Sequence, residues 1–401
     1  MRDRPFRVAY LVTHPIQYQA PLLRKIAAHE RVDLKVFFQS DISLRTFHDA
    51  GFGRAIRWDT PLTDGYDYEF LPSLGPNHPI SIWKPWSYGL SSQLRRGGFD
   101  ALWIHGYGRP YNLAAIGGAL TTGVKVLIRD EATAVSKARD SSSEWAKAML
   151  MRGLSRAGTR FLAIGSLNRA YLQQLGVPSG QIFDMPYCVD NDYFQHQAAA
   201  AVGQVQSLRT ELGLRDGVPV ILYASKFQAR KRPDDLLQAY GQLRSRFSAD
   251  RLPYLLYIGD GEMRAGLERS IAEHQLDRVK ILGFRNQSEL PAYFNLCDVF
   301  VLPSVHEPWG LVVNEVMNAA RAVIVTDEVG CAPDLVRNGT NGFAVPVGDI
   351  PALAQALFDV TSDAEIAARM GRASKQIVDT WNFDRDVTGL LAALEAAVPR
   401  Q

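Results

Sequence analysis

Long apolar runs are missing from this 401-residue chain. No window reaches the ~20 uninterrupted apolar residues that a membrane-spanning helix needs. Cysteine is scarce: Cys188, Cys297 and Cys331 are odd in number and carry no metal-ligand spacing, so reduced core thiols are expected rather than a disulfide framework or a zinc site. An excess of either charge is also absent. Lys and Arg total 44 against 42 Asp and Glu, a net +2 that leaves no basic footprint for nucleic acid. The basic N-terminus has an apolar run too short for a signal peptide and no small-residue cleavage site, so Val8 to Val12 reads as a first strand and the expected location is cytoplasmic. No internal repeat is evident. What remains is an ordinary globular composition, 47% hydrophobic and 21% charged, in a chain long enough for two or three domains.

The most informative stretch runs from 299 to 328. Val299-Phe300-Val301-Leu302 has the length and β-branched content of a buried strand, and it ends at Pro303. After a loop, Leu311, Val312, Val316 and Ala319 fall at helix spacing, and Ala322 to Thr326 reads as the next buried strand. This is a strand-loop-helix-strand unit of a parallel sheet. Glu315 lies on the helix stripe expected to face the sheet, where a carboxylate is costly unless something polar meets it. Glu307 lies in the loop at the strand's carboxyl end, where open α/β sheets bind ligands. Gly310 lets the backbone approach a ligand, and the amides of Gly310, Leu311 and Val312 form an anion site at the helix start. Two carboxylates for hydroxyls and a set of amides for phosphate suit a nucleotide sugar.

In this setting Glu307-Pro308-Trp309-Gly310-Leu311-Val312-Val313-Asn314-Glu315 resembles the two-glutamate signature of retaining glycosyltransferases of the GT-B fold, family 4. The resemblance implies an α/β protein of two doubly wound Rossmann-like domains facing a central cleft. It is strongest over 160–350 and weaker before that. Its expected divisions are an acceptor-side domain over 1–190, completed by a C-terminal helix over 382–401, a linker over 191–216, and a nucleotide-sugar-binding domain over 217–381. Two amphipathic helices are expected to finish the chain.

On the donor side, the loop after the strand 218–223 carries Lys226 and Lys231. The arrangement resembles the family's phosphate-binding pair, normally Arg then Lys five residues on; Lys226 stands in the first place and lacks the bidentate fork of Arg. The resemblance further implies that the backbone at Gly283 meets the nucleotide base, flanked by Phe284 and Arg285. With Lys226, Lys231 and the helix amides to take the leaving charge, no metal and no cofactor are expected.

In the first half, His105 and Asp130 close strands at their carboxyl ends and are the candidates for touching the donor sugar or acceptor hydroxyl, beside Glu307 as the third catalytic candidate. Relatives commonly carry a histidine where Arg129-Asp130-Glu131 stands here, so no catalytic histidine transfers to that place, and an Arg–carboxylate structural pair is the alternative for the triplet. The family's first loop usually has glycines. This one has none, which makes His14, Gln17 and Tyr18 acceptor-side candidates, with loop-fixing hydrogen bonds the alternative for His14. The run Ile82-Trp83-Lys84-Pro85-Trp86, followed by Arg95 and Arg96, suits either a peripheral membrane contact at the inner face or an ordinary helix packed on the sheet.

The expected activity is transfer of a sugar with retention from a nucleoside diphosphate donor to a hydroxyl of a saccharide or lipid-linked acceptor, in polysaccharide or glycolipid assembly. The rivals are a GT-B epimerase or phosphorylase, which would add no acceptor, and a non-catalytic nucleotide-sugar-binding scaffold. Sugar, base and acceptor are not written in the sequence.

Overall fold

The structure is a computed structural model that describes residues 4–49, 51–135 and 141–398; the last three positions of the expected 382–401 helix lie outside them. The chain divides into two compact units. The first comprises Met1–Phe47, Ile56–Tyr187 and Phe383–Gln401, and the second His48–Ala55 and Cys188–Asn382.

The first unit is built on a parallel seven-stranded sheet whose spatial order is Asp67–Phe70, Val32–Phe38, Phe6–Val12, Ala101–His105, Lys125–Arg129, Arg160–Ala163 and Ile182–Asp184. The second has a parallel six-stranded sheet in the order Val279–Ile281, Tyr254–Ile258, Val220–Ala224, Val299–Leu302, Ala322–Thr326 and Gly342–Val345. Helices cover both faces, so the central strands are apolar along their whole length instead of alternating; every residue of Val220–Ala224, Tyr254–Ile258, Val299–Leu302 and Ala322–Thr326 is buried. In each sheet the chain starts in the middle, works outward to one edge, then returns to fill the other side. The reversal lies between Phe6–Val12 and Ala101–His105 in the first sheet and between Val220–Ala224 and Val299–Leu302 in the second. In open α/β sheets the loops diverge at such points, and ligands bind beyond the strand carboxyl ends there.

Several local expectations are corrected. The helix Leu311–Asn318 forms, but Val313, Val316 and Met317 are its buried apolar residues, while Leu311, Val312 and Glu315 share a half-exposed face. Glu315 therefore does not face into the sheet. Three helices, not two, follow the last strand: Ile350–Thr361, Ala364–Asp379 and Phe383–Ala397. The stretch read as a linker, with a helix expected around 208–214, carries helices over Asn191–Ala201 and Val205–Glu211. It is bound into the second unit, where the Asn318 side-chain amide donates to Asn191 Oδ1 at 2.9 Å. Residues 80–89 are not helical, and the helix Leu90–Gly97 begins only after them. Among the described residues no helix is long and apolar enough to cross a membrane.

Candidate functional site

The second sheet's reversal brings together the loops that carry its charged candidates. The loop after Val220–Ala224 carries Lys226, Arg230 and Lys231; the loop after Val299–Leu302 carries Glu307. Lys231 Nζ donates to Glu307 Oε2, and Arg230 approaches the same oxygen at 3.3 Å. Lys231 and Glu307 are each only 8% exposed, so this is a buried pair with a second cation at its rim. Burial pushes the Lys231 ammonium below its usual range, with Glu307 opposing. Sequence reasoning placed Lys231 and Glu307 in separate roles; the structure joins them, and adds Arg230, which had no role assigned.

Gly310 caps the following helix at φ +91°, a left-handed conformation that favours glycine. A Cβ there would also lie 3.0 Å from both Leu302 Cδ2 and Val329 Cγ1. The amides of Gly310, Leu311 and Val312 have no partner among the described residues, as expected of a helix start. One turn along, Glu315 likewise has no hydrogen-bond or ion-pair partner among the described residues, and burial alone pushes its carboxyl up to about 7. This leaves a half-buried carboxylate without a partner one turn from three unpartnered amides.

The remaining donor-side candidates lie nearby in the fold. Gly283, at φ +74°, accepts a hydrogen bond from the Gly259 amide at 2.9 Å. Phe284 packs edge-on against Phe52, with ring centroids 4.8 Å apart, and the Arg54 guanidinium stands 5.3 Å from its ring. Arg285 donates through Nε to the Tyr293 hydroxyl at 3.0 Å. Lys226 is held by Asp49, whose two carboxylate oxygens lie 2.8 and 3.0 Å from its Nζ. His306, at φ +53°, sets its Nδ1 2.9 Å from Glu328 just before Glu307.

In the first unit, the sheet's reversal gathers a hydrogen-bonded cluster. His105 Nδ1 meets Gln19 Nε2 at 3.3 Å and its Nε2 lies 3.6 Å from Glu131. Glu131 also accepts from the hydroxyls of Tyr187 at 2.5 Å and Tyr18 at 3.2 Å, while the Tyr10 hydroxyl donates to Gln19 at 2.8 Å. Burial raises the Glu131 carboxyl, but His105 and the two hydroxyls outweigh it and bring it down to about 2. The adjacent Asp130 goes the other way: burial raises it, opposed by the Ala132 amide that donates to it at 2.9 Å. Neighbouring carboxyls with opposite shifts are a frequent mark of a working site. Glu131, Gln19 and Tyr187 were not among the sequence candidates; only the strand-end position of Glu131 offered a signal.

His14 sits half-buried with Nδ1 unpartnered, and burial, with His105 and the Arg109 guanidinium nearby, lowers it to about 4. The alternative of a histidine bonded through Nδ1 to fix the loop thus finds no partner. Gln17 is half-exposed in the same loop. Arg129 is the structural arginine foreseen as an alternative, with a different partner: it is 2% exposed, donates to Asp386 of the C-terminal helix at 2.7 Å and to the carbonyls of Met185 and Pro186 at 2.8 and 2.6 Å.

The whole chain is similar to a glycosyltransferase from Rickettsia africae, with a TM-score of 0.70 at 16% identity over 98% of both chains. It is also similar to HepE of Anabaena in complex with UDP and glucose, with a TM-score of 0.66 at 16% identity over 96% of this chain and 99% of that one. These likenesses define the fold: two Rossmann-like α/β domains of the GT-B class. Within it, residues 204–377, which carry the second unit's site, match the family of glycosyl transferases group 1. Among characterised relatives, the chain is 27% identical over 247 residues to the alpha-D-kanosaminyltransferase of Streptomyces kanamyceticus, a match that spans 61% of each protein.

Proposed function

We propose that the chain is a retaining glycosyltransferase that takes a sugar from a nucleoside diphosphate donor and passes it to an acceptor hydroxyl. One observation carries this reading: at the reversal of the second sheet, Arg230 and Lys231 converge on Glu307, beside three unpartnered amides and the unpartnered Glu315. The match of 204–377 to group 1 glycosyl transferases and the UDP and glucose held by the similar HepE support it.

In this reading the ribose hydroxyls donate to Glu315, and the diphosphate lies on the amides at 310–312 within reach of Lys226 and Lys231. Glu307, fixed by Lys231 and Arg230, is held rigid for the reacting sugar. The same cations and amides would take the charge of the departing diphosphate without a metal ion. The departing phosphate then serves as base for the acceptor, which attacks on the same face. His105, Asp130, Glu131 and Tyr18 would receive that acceptor, with His14 and Gln17 beside them. The acceptor is a saccharide or a lipid-linked one. Ile82 and Trp83, 57% and 65% exposed and flanked by Lys84, support a peripheral membrane contact, tested by sedimentation of wild type and Trp83→Ala with anionic vesicles.

The test of the whole reading is a panel of nucleoside diphosphate sugars, read by thermal shift and by release of nucleoside diphosphate. One donor is expected to stabilise the protein and to be turned over in EDTA, with the anomeric configuration retained by NMR. A donor that is bound but never consumed, with any acceptor, would replace the enzyme by a nucleotide-sugar-binding scaffold. Conversion of the sugar without transfer would replace it by an epimerase.

A further inference from the structure

The partner of Lys226 comes from an unexpected place. Asp49 precedes it by 177 residues, yet His48–Ala55 belongs to the second unit. Both oxygens of the Asp49 carboxylate reach the Lys226 ammonium, at 2.8 and 3.0 Å, and Oδ1 also accepts from the amides of Gly51 and Phe52 at 2.8 and 3.0 Å. The carboxylate is therefore fixed in position rather than swinging on the surface. Phe52 lies under the same ammonium, 4.7 Å from ring centroid to Nζ, and its ring also packs against Phe284. Gly51 lies flat against the lysine stem: a Cβ there would come within 2.6 Å of Lys226 Cδ. Asp49, Gly51 and Phe52 thus touch two residues assigned to the donor, the first phosphate cation and the aromatic beside the base.

The charges make the arrangement informative. Among the described residues Asp49 is the only ion-pair partner of Lys226. A diphosphate arriving at Lys226 would meet a carboxylate already there, and like charges at that distance repel. Either the ammonium is unavailable to the donor, or the carboxylate gives way. We propose that Asp49 holds the place of the donor's diphosphate on Lys226, and that the donor binds by exchanging with it. This rests on the donor reading above and adds the group the donor must displace.

The experiment is calorimetric titration of wild type, Asp49→Asn and Lys226→Ala with UDP, GDP, ADP and inorganic pyrophosphate, together with hydrogen exchange at the Gly51 and Phe52 amides. Asparagine keeps the acceptor for those amides and removes only the charge. The expected result is binding about threefold to tenfold tighter in Asp49→Asn, the scale of one half-exposed ion pair, and weaker in Lys226→Ala. Exchange at both amides should quicken when the wild type is saturated. Binding that falls in Lys226→Ala but is unchanged or weaker in Asp49→Asn overturns the exchange and leaves the donor site standing; Asp49 would then be holding Lys226 ready. Absence of binding in both the wild type and Asp49→Asn overturns the donor site as well.

Discussion

A carboxyl that has no partner reports on what the site lacks. Glu315 is raised to about 7 by burial, against 4.5 for an ordinary glutamate. Its folded value lies above its unfolded one, so the stability it lends is fully present below about pH 4.5 and is withdrawn as the pH rises through about 7. Glu315→Gln is expected to remove that loss, and its melting temperature should fall less than that of the wild type between pH 5 and pH 8. The same variant should weaken nucleotide binding about tenfold or more, because an amide replaces the ribose acceptor. Stability that gains while binding fails is the expected signature of a residue kept for a ligand. Glu131 shows the opposite logic. With His105, Tyr187 and Tyr18 already around it, its carboxyl stays charged down to about pH 2, so protonation of Glu131 should leave no inflection in a pH–rate profile at neutral pH.

Among the elements, the turn at 303–310 and the C-terminal helix carry the sharpest tests. Gly310→Ala forces a side chain into a left-handed backbone and against Leu302 and Val329. Its cost is about 1–2 kcal/mol for the backbone alone, before the crowding is added, and denaturant unfolding will show it. The loss of donor affinity should exceed that of stability, since the three amides would be displaced together. On the helix Phe383–Ala397, Asp386→Ala leaves the Arg129 guanidinium buried without its counter-charge, which should cost about 3–5 kcal/mol. An Arg129→Met, Asp386→Leu double variant should recover most of it. The sequence announced the strand-end loops because strand, glycine and charge lie within a dozen residues of one another. It could not announce Asp49 with Lys226, or Arg129 with Asp386. Partners separated by 177 and 257 residues leave no periodic trace, and pairing them requires the fold first. Glu315 was misplaced on its helix for a related reason. Periodicity identifies an apolar stripe, but Leu311 and Val312 at the first turn are only half-buried, and the buried apolar residues are Val313, Val316 and Met317.

At the scale of the molecule, the two sheets share a topology and have separate cores. A ligand bound only by the second should stabilise that unit. At a hundred times its Kd, mass action contributes about 2.7 kcal/mol. Scanning calorimetry with donor is expected to raise a transition of the second unit, and in Lys231→Ala or Glu307→Gln that rise should shrink. Uniform stabilisation of both units by donor alone would mean that the donor grips residues of both.

The helix Phe383–Ala397 has a further consequence, for the order in which the protein is made. The first unit encloses Arg129 against Asp386, and Gly389 packs so closely on Asp184 that a Cβ there would lie 1.7 Å from its carbonyl oxygen. Residues 1–187 therefore emerge from the ribosome as a sheet with an open seam and a charged side chain awaiting its partner. The second unit, nearly contiguous over Cys188–Asn382, can be completed first. The half that is translated first is sealed last, and the nascent chain must keep that seam from other chains until residue 386 has been released.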